Sequence, residues 1–539
     1  MNQEYDRLQK LIKEAEEKAA SKGDMSYRNG FHIMPPTGWL NDPNGLCQLG
    51  DEYHLFFQYS PLDARGGMKA WGHYVTKDFV NLCYAGAPFV PDEGFDKNGV
   101  YSGSSYVDEQ GMHIFYTGNV KLPGDHDYVN SGRRADTVLV ESKDGVNFSE
   151  KRVVIDTDEY PKGYSCHIRD PKVWRENDTY YMVLGARTKD SVGQILVYFS
   201  ADMLKWSLYR VISSEKPFGY MWECPDIFNI DETYVISFSP QGLDAEEYRY
   251  QNTYQSGYVL RNVNPLTDIS EAADSVADMG DMAEGQTWEG NDDHKKTGSP
   301  LKEQLVIDQE KFVEWDMGFD FYAPQTFQDN SGRRILVGWA GMPDPGYENG
   351  ETETENWQHC FTVPRILSVK EDCDGVRKVF QTPIKELEAL RTGEVIALDK
   401  YMSGSTDNNA ESGSEDVSDN KTLRLFESDK ELLDIVCEDI AGAFEITINE
   451  GVIFKYDGSV LELNLSEGCG LGRRARKAEI TRVDSLRLLV DSSILEIYVN
   501  EGGMVFTTRF YKDITGNKIR LDIGEARVLV YPMKHMLME

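Results

Sequence analysis

From Phe31 to about Val369 the chain is a succession of short apolar runs separated by Asp, Gly and Asn. Aromatic and aliphatic residues alternate within these runs, and helical periodicity is almost absent. This pattern is typical of short antiparallel strands joined by tight turns. The region is therefore predicted to be all-β.

One segment of this region recurs five times as a polar turn followed by an apolar strand. The copies are DEYHLFFQYS from Asp51, QGMHIFYTGN from Gln110, NDTYYMVLGA from Asn177, DETYVISFSP from Asp231 and SGRRILVGWA from Ser331. Repetition of one structural unit predicts a five-bladed β-propeller with about four strands in each blade. A β-sandwich is the main alternative, but it does not account for five similar units.

The two ends of the chain have different patterns. Apolar residues recur at helical spacing between Tyr5 and Ala19, which predicts an amphipathic N-terminal helix. A second, short helix is predicted within TPIKELEALR, and the C-terminal part alternates apolar and polar residues as strands of a β-sandwich do. The predicted domains are an N-terminal helix (1–30), the propeller (31–375), a linker helix and loop (376–420) and a C-terminal β-sandwich (421–539).

Two stretches depart from these patterns. The Ser, Asn and acid-rich stretch 403–420 is typical of a mobile surface loop. The acidic stretch 265–304 is predicted to be an insertion in the fourth blade. A solvated loop is the favoured interpretation of this insertion, with a functional lid as the alternative.

Charge and composition narrow the range of partners. The 539 residues carry a formal net charge of −35, which repels nucleic acids and anionic membranes and suits a neutral substrate. No apolar run is long enough to span a bilayer and no signal-peptide pattern is present, so a cytoplasmic location is expected. The histidines and cysteines form no ligand-spaced cluster, so neither a metal nor another cofactor is expected. The oligomeric state is left open.

Three acids occupy related places in the repeats. Each repeat copy is preceded, at nearly the same offset, by one of the dipeptides Asp42-Pro43, Ser102-Gly103, Asp170-Pro171, Cys224-Pro225 and Ala323-Pro324. Equivalent offsets predict equivalent places in successive blades. We therefore expect Asp42, Asp170 and Glu223 to meet at one mouth of the central channel.

Three carboxyl groups in such a place suit glycoside hydrolysis. A retaining enzyme needs a carboxylate nucleophile and a protonated carboxyl group ~5–5.5 Å apart. Asp42, fixed in a tight turn, suits the nucleophile, and Glu223, between apolar neighbours, suits an acid/base group whose pKa burial raises. Asp170, next to Arg169, is expected to stay ionised and stabilise positive charge. Any one of these acids is more often a structural cap, but the matching repeat positions favour the catalytic interpretation.

Several blocks in this order resemble the signature of glycoside hydrolase family 32. They are WLNDPNG, FFQYSP, WGHYVTKD, YSGSS, IRDPKVW, WECPD, GFDFYAPQTF and DSSILEIYVN, between about Phe31 and Asn500. The resemblance implies a five-bladed propeller followed by a β-sandwich. It also implies a retaining β-fructofuranosidase acting on sucrose, sucrose 6-phosphate or short fructo-oligosaccharides, with Asp42, Asp170 and Glu223 as nucleophile, transition-state stabiliser and acid/base.

The resemblance also implies a set of substrate contacts. Polar groups hold the fructosyl unit, and apolar side chains line the pocket; Leu40 and Tyr101 replace the Met and Phe of many relatives. The implied substrate-binding residues are Trp39, Leu40, Asn41, Gln58, Trp71, Tyr101, Ser102, Arg169 and Trp339.

Two other functions fit the same architecture. An inverting furanosidase acting on arabinose or xylose would hold its carboxyl groups ~6.5–9.5 Å apart, but NDPNG and ECPD argue against it. A non-enzymatic carbohydrate-binding propeller would usually have lost one of the three acids. The sequence leaves open the choice among sucrose, its 6-phosphate and fructans, and between β-2,1 and β-2,6 linkages. An intracellular location favours small substrates, and the negative net charge weighs slightly against a phosphorylated one.

Overall fold

A computed structural model describes residues 3–22, 25–267, 304–393, 395–398, 423–428, 431–512, 517–524 and 526–539. The stretch 403–420 and nearly all of the acidic insertion, from 268 to 303, lie outside the described residues. Strands dominate the described part, which confirms the all-β class. Within the described residues, no helix is long and apolar enough to cross a membrane.

The chain divides into two compact, interleaved units. The first comprises Met1–Asp92, Asp244–Ser256 and Glu314–Glu539, and the second comprises Glu93–Leu243 and Gly257–Val313. Both units are discontinuous in sequence, since the second interrupts the first and Asp244–Ser256 of the first interrupts the second. The predicted domain boundaries stay a prediction.

The predicted N-terminal helix is present as Gln3–Ala20. Its apolar stripe is buried at Leu8, Ile12 and Ala19. The remaining helices of the described chain are short: the α-helices Gly350–Thr354 and Glu467–Gly470 and the 3₁₀-helices Thr157–Glu159, Gln309–Lys311, Lys385–Leu390 and Asn500–Gly502. The predicted linker helix corresponds to Lys385–Leu390, whose turn buries Leu387 and Leu390.

The first unit contains two of the sheets that carry repeat copies. We call them the Asp42 sheet and the Ala323 sheet after a residue in the strand that precedes the repeat copy in sequence. In pairing order, the Asp42 sheet is Trp357–Gln358, Gly38–Leu49, Glu52–Ser60, Ala70–Thr76, Asn81–Tyr84 and Leu537–Met538. The Ala323 sheet is Tyr322–Gln328, Arg334–Ala340, Arg365–Glu371 and Arg377–Pro383, with Cys360–Phe361 paired to its second strand.

The second unit contains the other three, which we call the Ser102, Asp170 and Glu223 sheets. The Ser102 sheet is Val100–Asp108, Gly111–Lys121, Arg133–Ser142 and Arg152–Ile155. The Asp170 sheet is Tyr164–Glu176, Thr179–Thr188, Gly193–Ser200, Ser207–Ser214 and Leu305–Ile307. The Glu223 sheet is Met221–Ile230, Thr233–Gln241 and Gly257–Arg261, with Val313–Glu314 at the boundary of the unit.

All five of these sheets share one irregularity. In each sheet, the strand that precedes the repeat copy in sequence is bulged at the dipeptide that the sequence singled out. The pairing register shifts between Leu40 and Pro43, Tyr101 and Gly103, Arg169 and Lys172, Glu223 and Asp226, and Tyr322 and Gln325. Four of the five sites contain a proline, which cannot donate a ladder hydrogen bond and is tolerated inside a sheet at a bulge.

The C-terminal part of the first unit forms two six-stranded sheets. One is Ile396–Ala397, Arg527–Pro532, Leu433–Glu438, Leu486–Val490, Ile494–Val499 and Met504–Arg509. The other is Leu423–Ser428, Asn517–Ile523, Phe444–Ile448, Val452–Tyr456, Val460–Leu465 and Ala475–Glu479. Alternate residues of both sheets, such as Leu433, Ile446 and Phe506, enter one hydrophobic core, as the period-two pattern predicts.

A buried network of charges joins the Ala323 sheet to these C-terminal strands. Arg365 Nη2 lies 2.7 Å from Glu496 Oε2, and Arg365 Nη1 lies 3.2 Å from Asp316 Oδ2. The imidazole of His32 bridges Asp491 and Glu496 at 2.8 and 3.0 Å. Burial disfavours the imidazolium, but the two carboxylates outweigh this cost and raise the pKa of His32 to about 9.

We predict that His32 makes stability depend on pH. The pKa of His32 is raised on folding, so His32 adds about 3 kcal/mol to the free energy of unfolding. This contribution is complete below pH ~6.5 and is lost as pH rises through 9. Urea unfolding midpoints of the wild type and His32→Gln, measured from pH 5.5 to 9.5, should converge at high pH. His535→Gln, at an exposed histidine, is the control. Parallel curves for the wild type and His32→Gln would contradict the prediction.

Candidate active site

In the first unit, Asn41 organises the side chains around Asp42. The amide oxygen of Asn41 accepts hydrogen bonds from Trp39 Nε1 at 2.9 Å and Lys69 Nζ at 2.7 Å. Its amide nitrogen donates to Gln58 Oε1 at 2.8 Å and to Asp42 Oδ1 at 3.1 Å. Because two donors meet the oxygen and two acceptors meet the nitrogen, the orientation of this amide is fixed. The Asp42 carboxylate is thereby held by an oriented donor.

Aromatic rings form a wall beside this group. The ring centroids of Trp39 and Trp339 lie 5.9 Å apart, and His359 packs edge-on against Trp39 at 4.3 Å and against Trp339 at 5.1 Å. Trp39 is half-buried, whereas Leu40 and Trp71 are fully buried, each with 0% exposure. The predicted apolar residues Trp39 and Trp339 are therefore brought together, while Leu40 and Trp71 pack inside the Asp42 sheet.

Lys69 is a cation next to Asp42 that the sequence reasoning missed. Lys69 as a residue is half-buried, and its ammonium nitrogen lies 5.3 Å from the centroid of the Trp39 ring. Burial lowers the pKa of Lys69 to about 8, although the charge of Asp42 acts in the opposite direction. The available signal was a lysine two residues before Trp71 in an acidic chain.

In the second unit, Asp170 links the bulges of two sheets. Its backbone is left-handed, with φ 63°, and Cys224 in the next bulge has φ 46°. The Asp170 carboxylate accepts a hydrogen bond from the Cys224 backbone N–H at 3.0 Å, and its own N–H donates to Thr117 Oγ1 at 3.0 Å. A carboxylate held by a backbone donor in a buried place has a fixed direction.

Glu223 is surrounded by polar groups. Its Oε1 accepts from Arg169 Nε at 3.0 Å, and its Oε2 accepts from Gln241 Nε2 at 2.8 Å. The apolar setting expected from its chain neighbours is therefore wrong. Neighbours on a strand point to opposite faces, and Trp222 is fully buried with its indole N–H donating to the Phe218 carbonyl.

Arg169 pairs with Glu223 more directly than with its chain neighbour Asp170. Burial disfavours its guanidinium charge, but Glu223 and Asp170 together raise the pKa of Arg169. The guanidinium also donates to His167 Nδ1, a contact that the sequence reasoning missed. Burial, with the charge of Arg169, lowers the pKa of His167 to about 3, so this imidazole is a neutral acceptor.

Tyr101 and Ser102 lie at the bulge of the Ser102 sheet. Ser102 is 2% exposed and Tyr101 is half-buried. Tyr101 pairs in register with Thr117, the residue whose hydroxyl accepts from Asp170. The second unit thus brings together Arg169, Asp170 and Glu223, with the Tyr101 strand connected to them through Thr117.

Two family models match the chain. The Glycosyl hydrolases family 32 N-terminal domain covers residues 32–383, and the Glycosyl hydrolases family 32 C terminal model covers residues 460–528. Together they span most of the sequence, including all the acids described above.

Individual relatives agree with these models. The sucrose-6-phosphate hydrolase of Bacillus subtilis (strain 168) is 35% identical over 511 residues, which is 93% of this chain and 92% of the relative. The raffinose invertase of Escherichia coli is 30% identical over 517 residues, 95% of each chain. A solved structure of a Bombyx mori beta-fructofuranosidase mutant in complex with sucrose has a TM-score of 0.76 and 25% identity, covering 98% of this chain and 99% of that chain. Family models and relatives therefore lead to one conclusion: the chain belongs to glycosyl hydrolase family 32.

Proposed function

We propose that the protein is a retaining β-fructofuranosidase that hydrolyses terminal β-fructosyl residues of sucrose, sucrose 6-phosphate or short fructo-oligosaccharides. The observation that carries the proposal is the placement of Asp42, Asp170 and Glu223 at corresponding bulges, each with its own set of hydrogen-bond partners. The relatives named sucrose-6-phosphate hydrolase and raffinose invertase support the substrate class. We further propose that the five bulged sheets are the blades of a propeller and that the two C-terminal sheets are a β-sandwich.

Asp42 is the proposed nucleophile. In the retaining mechanism a carboxylate attacks the anomeric carbon and forms a covalent fructosyl-enzyme intermediate, which water then hydrolyses. The Asn41 amide fixes the Asp42 carboxylate, so less reorganisation is needed at the moment of attack. Asn41, Gln58, Trp39 and the other predicted contacts, apart from the fully buried Leu40 and Trp71, are proposed to hold the fructosyl unit.

Glu223 is the proposed acid/base group. It must carry a proton to release the leaving oxygen and must lose that proton to activate water. Gln241 suits both states, because rotation of its amide presents an oxygen to a protonated carboxyl group and a nitrogen to a carboxylate. Arg169 holds the other carboxylate oxygen throughout.

Asp170 is the proposed transition-state stabiliser. Its carboxylate is buried and fixed by the Cys224 N–H, which suits binding of sugar hydroxyls rather than covalent attack. A fixed negative charge also favours an oxocarbenium-like transition state electrostatically. The cytoplasmic location stays a prediction.

The first experiment is a comparison of substrates. Purified protein is incubated with sucrose, sucrose 6-phosphate, kestose, inulin and an arabinan, and the released sugars are identified together with their anomeric configuration. We expect fructose with retained configuration from the first three substrates. Arabinose release, an inverted product or no product at all would contradict the proposal.

Removal of the two reacting carboxyl groups should abolish most of the activity. We expect Asp42→Asn and Glu223→Gln to lower kcat on sucrose by at least about 10²–10⁴-fold, because each removes a nucleophile or a proton donor. Asp231→Asn and Glu232→Gln make the same chemical changes in an exposed turn and serve as controls. Near wild-type kcat in a folded Asp42→Asn or Glu223→Gln variant would refute the assigned roles.

Lys69 should assist Asn41 and Asp42 only while it is charged. A hydrogen bond from a charged group is worth about 1.5–3 kcal/mol. Loss of the Lys69–Asn41 hydrogen bond in Lys69→Met should therefore lower kcat/KM roughly 10-fold or more at pH 6. Because the pKa of Lys69 is about 8, the ratio of wild-type to variant kcat/KM should shrink as pH rises from 6 to 9.5. Lys77→Met, at an exposed lysine, is the control. A ratio independent of pH would show that the charge of Lys69 has no part in the reaction.

A further inference from the structure

We infer that Asn349 and His359 are positioning residues for the aromatic wall and for the backbone just before Asp42, and that Arg473 and Tyr511, from the C-terminal part of the first unit, hold them in place. This inference rests on the proposed function. Residues outside the predicted site thereby gain a role in the reaction, and the C-terminal part of the first unit gains a role beyond folding.

The first link is a buried ion pair that orients Asn349. Arg473 forms a bidentate ion pair with Asp320, in which Nε lies 2.8 Å from Oδ2 and Nη2 lies 2.9 Å from Oδ1. Arg473 Nη2 also donates to Asn349 Oδ1 at 2.7 Å, and the hydroxyl of Tyr511 donates to the same oxygen at 2.8 Å. Because a guanidinium can only donate, the amide oxygen of Asn349 must face Arg473.

This orientation decides the proton position on His359. With its oxygen facing Arg473, Asn349 presents its Nδ2 to His359 Nε2 at 3.3 Å. Nε2 must then accept, so the proton of a neutral imidazole is on Nδ1 and donates to the Leu40 carbonyl at 3.3 Å. Burial, reinforced by the charges of Arg509 and Arg473, holds the pKa of His359 well below its usual range, which agrees with a neutral ring.

The second link connects His359 to the proposed site. Its ring packs edge-on against both Trp39 and Trp339, and the Leu40 carbonyl that it binds is two residues before Asp42. A shift of His359 would therefore move the aromatic wall and the Asn41-Asp42 backbone together. Displacements of about 1 Å in such groups are enough to cost roughly 10²-fold in rate.

Asn349 does not have the structural role that is usual for its position. It is the residue before the helix Gly350–Thr354, where an asparagine side chain normally accepts a hydrogen bond from the first turn. Its side chain makes no such capping bond and is directed to Arg473, Tyr511 and His359 instead. The side-chain contacts of Asn349 thus connect Arg473 to His359. We call this series of hydrogen bonds, from Arg473 through Asn349 to His359, the relay.

The test replaces Asn349 with an isosteric acceptor. Asn349→Asp keeps both bonds to its oxygen but cannot donate to His359 Nε2, so His359 is driven to bind a second proton. We expect kcat/KM on sucrose to fall about 10- to 100-fold where His359 is protonated, and a new ionisation to appear between pH 5 and 8 in its pH profile. Asn449→Asp, at an amide that donates to Asn517, is the matched control and should keep the wild-type profile.

A second readout does not depend on turnover. The imidazole Cε1 signal of His359, followed by NMR, should not titrate in the wild type between pH 5 and 8 and should titrate in Asn349→Asp. If the wild type releases fructose from no substrate, the proposed function fails, but this titration still tests the relay. A folded Asn349→Asp variant with wild-type pH profile, KM and NMR behaviour would overturn the inference.

If Asn349→Asp does not fold, two variants of His359 provide an alternative test. His359→Asn keeps a donor near the position of Nδ1, whereas His359→Leu keeps volume without a donor. The relay predicts a higher kcat/KM for His359→Asn than for His359→Leu at equal thermal stability. Equal kinetics for the two variants would also overturn it.

Discussion

Proline's inability to donate a ladder hydrogen bond is the constraint on which the proposed site depends. A proline in the middle of a strand is accommodated at a bulge. The residue before the proline has a positive φ, outside the β region, at Asp170, Cys224 and Ala323. The bulge redirects side chains that would otherwise alternate between the faces of a flat sheet. Bulges recur at corresponding positions of five sheets, four of them at a proline, and they give each acid a rigid and irregular backbone.

The three acids share this backbone feature but differ in their partners. Asp42 accepts a hydrogen bond from a neutral side-chain amide, and Asp170 accepts one from a backbone N–H. Glu223 accepts hydrogen bonds from a guanidinium and from a rotatable side-chain amide. These partners match the demands of the proposed roles. A nucleophile needs orientation, a stabiliser needs a fixed charge, and an acid/base group needs neighbours that accept either protonation state.

The C-terminal part of the first unit contributes charges as well as a hydrophobic core. Arg473 and Glu496 enter buried networks with residues of the preceding sheets and helices, and both networks include a histidine. The two histidines are held in opposite states, since two carboxylates keep His32 protonated whereas burial, reinforced by nearby arginines, keeps His359 neutral. Local electrostatics, more than solvent exposure, separates these two buried imidazoles.

The sequence by itself determined the all-β class, the five repeats, the N-terminal helix and the corresponding strand positions of Asp42, Asp170 and Glu223, because period-two patterning and repeated dipeptides are local signals. It did not determine the partners of those acids. The neighbours of Glu223 in sequence are apolar, but strand geometry turns them away and brings in Arg169 and Gln241 from other positions. Lys69, Asn349 and His359 have no motif of their own. The contacts of Lys69 with Asn41, of His359 with Trp39 and of Asn349 with His359 join residues distant in the chain, and only the tertiary structure decides them.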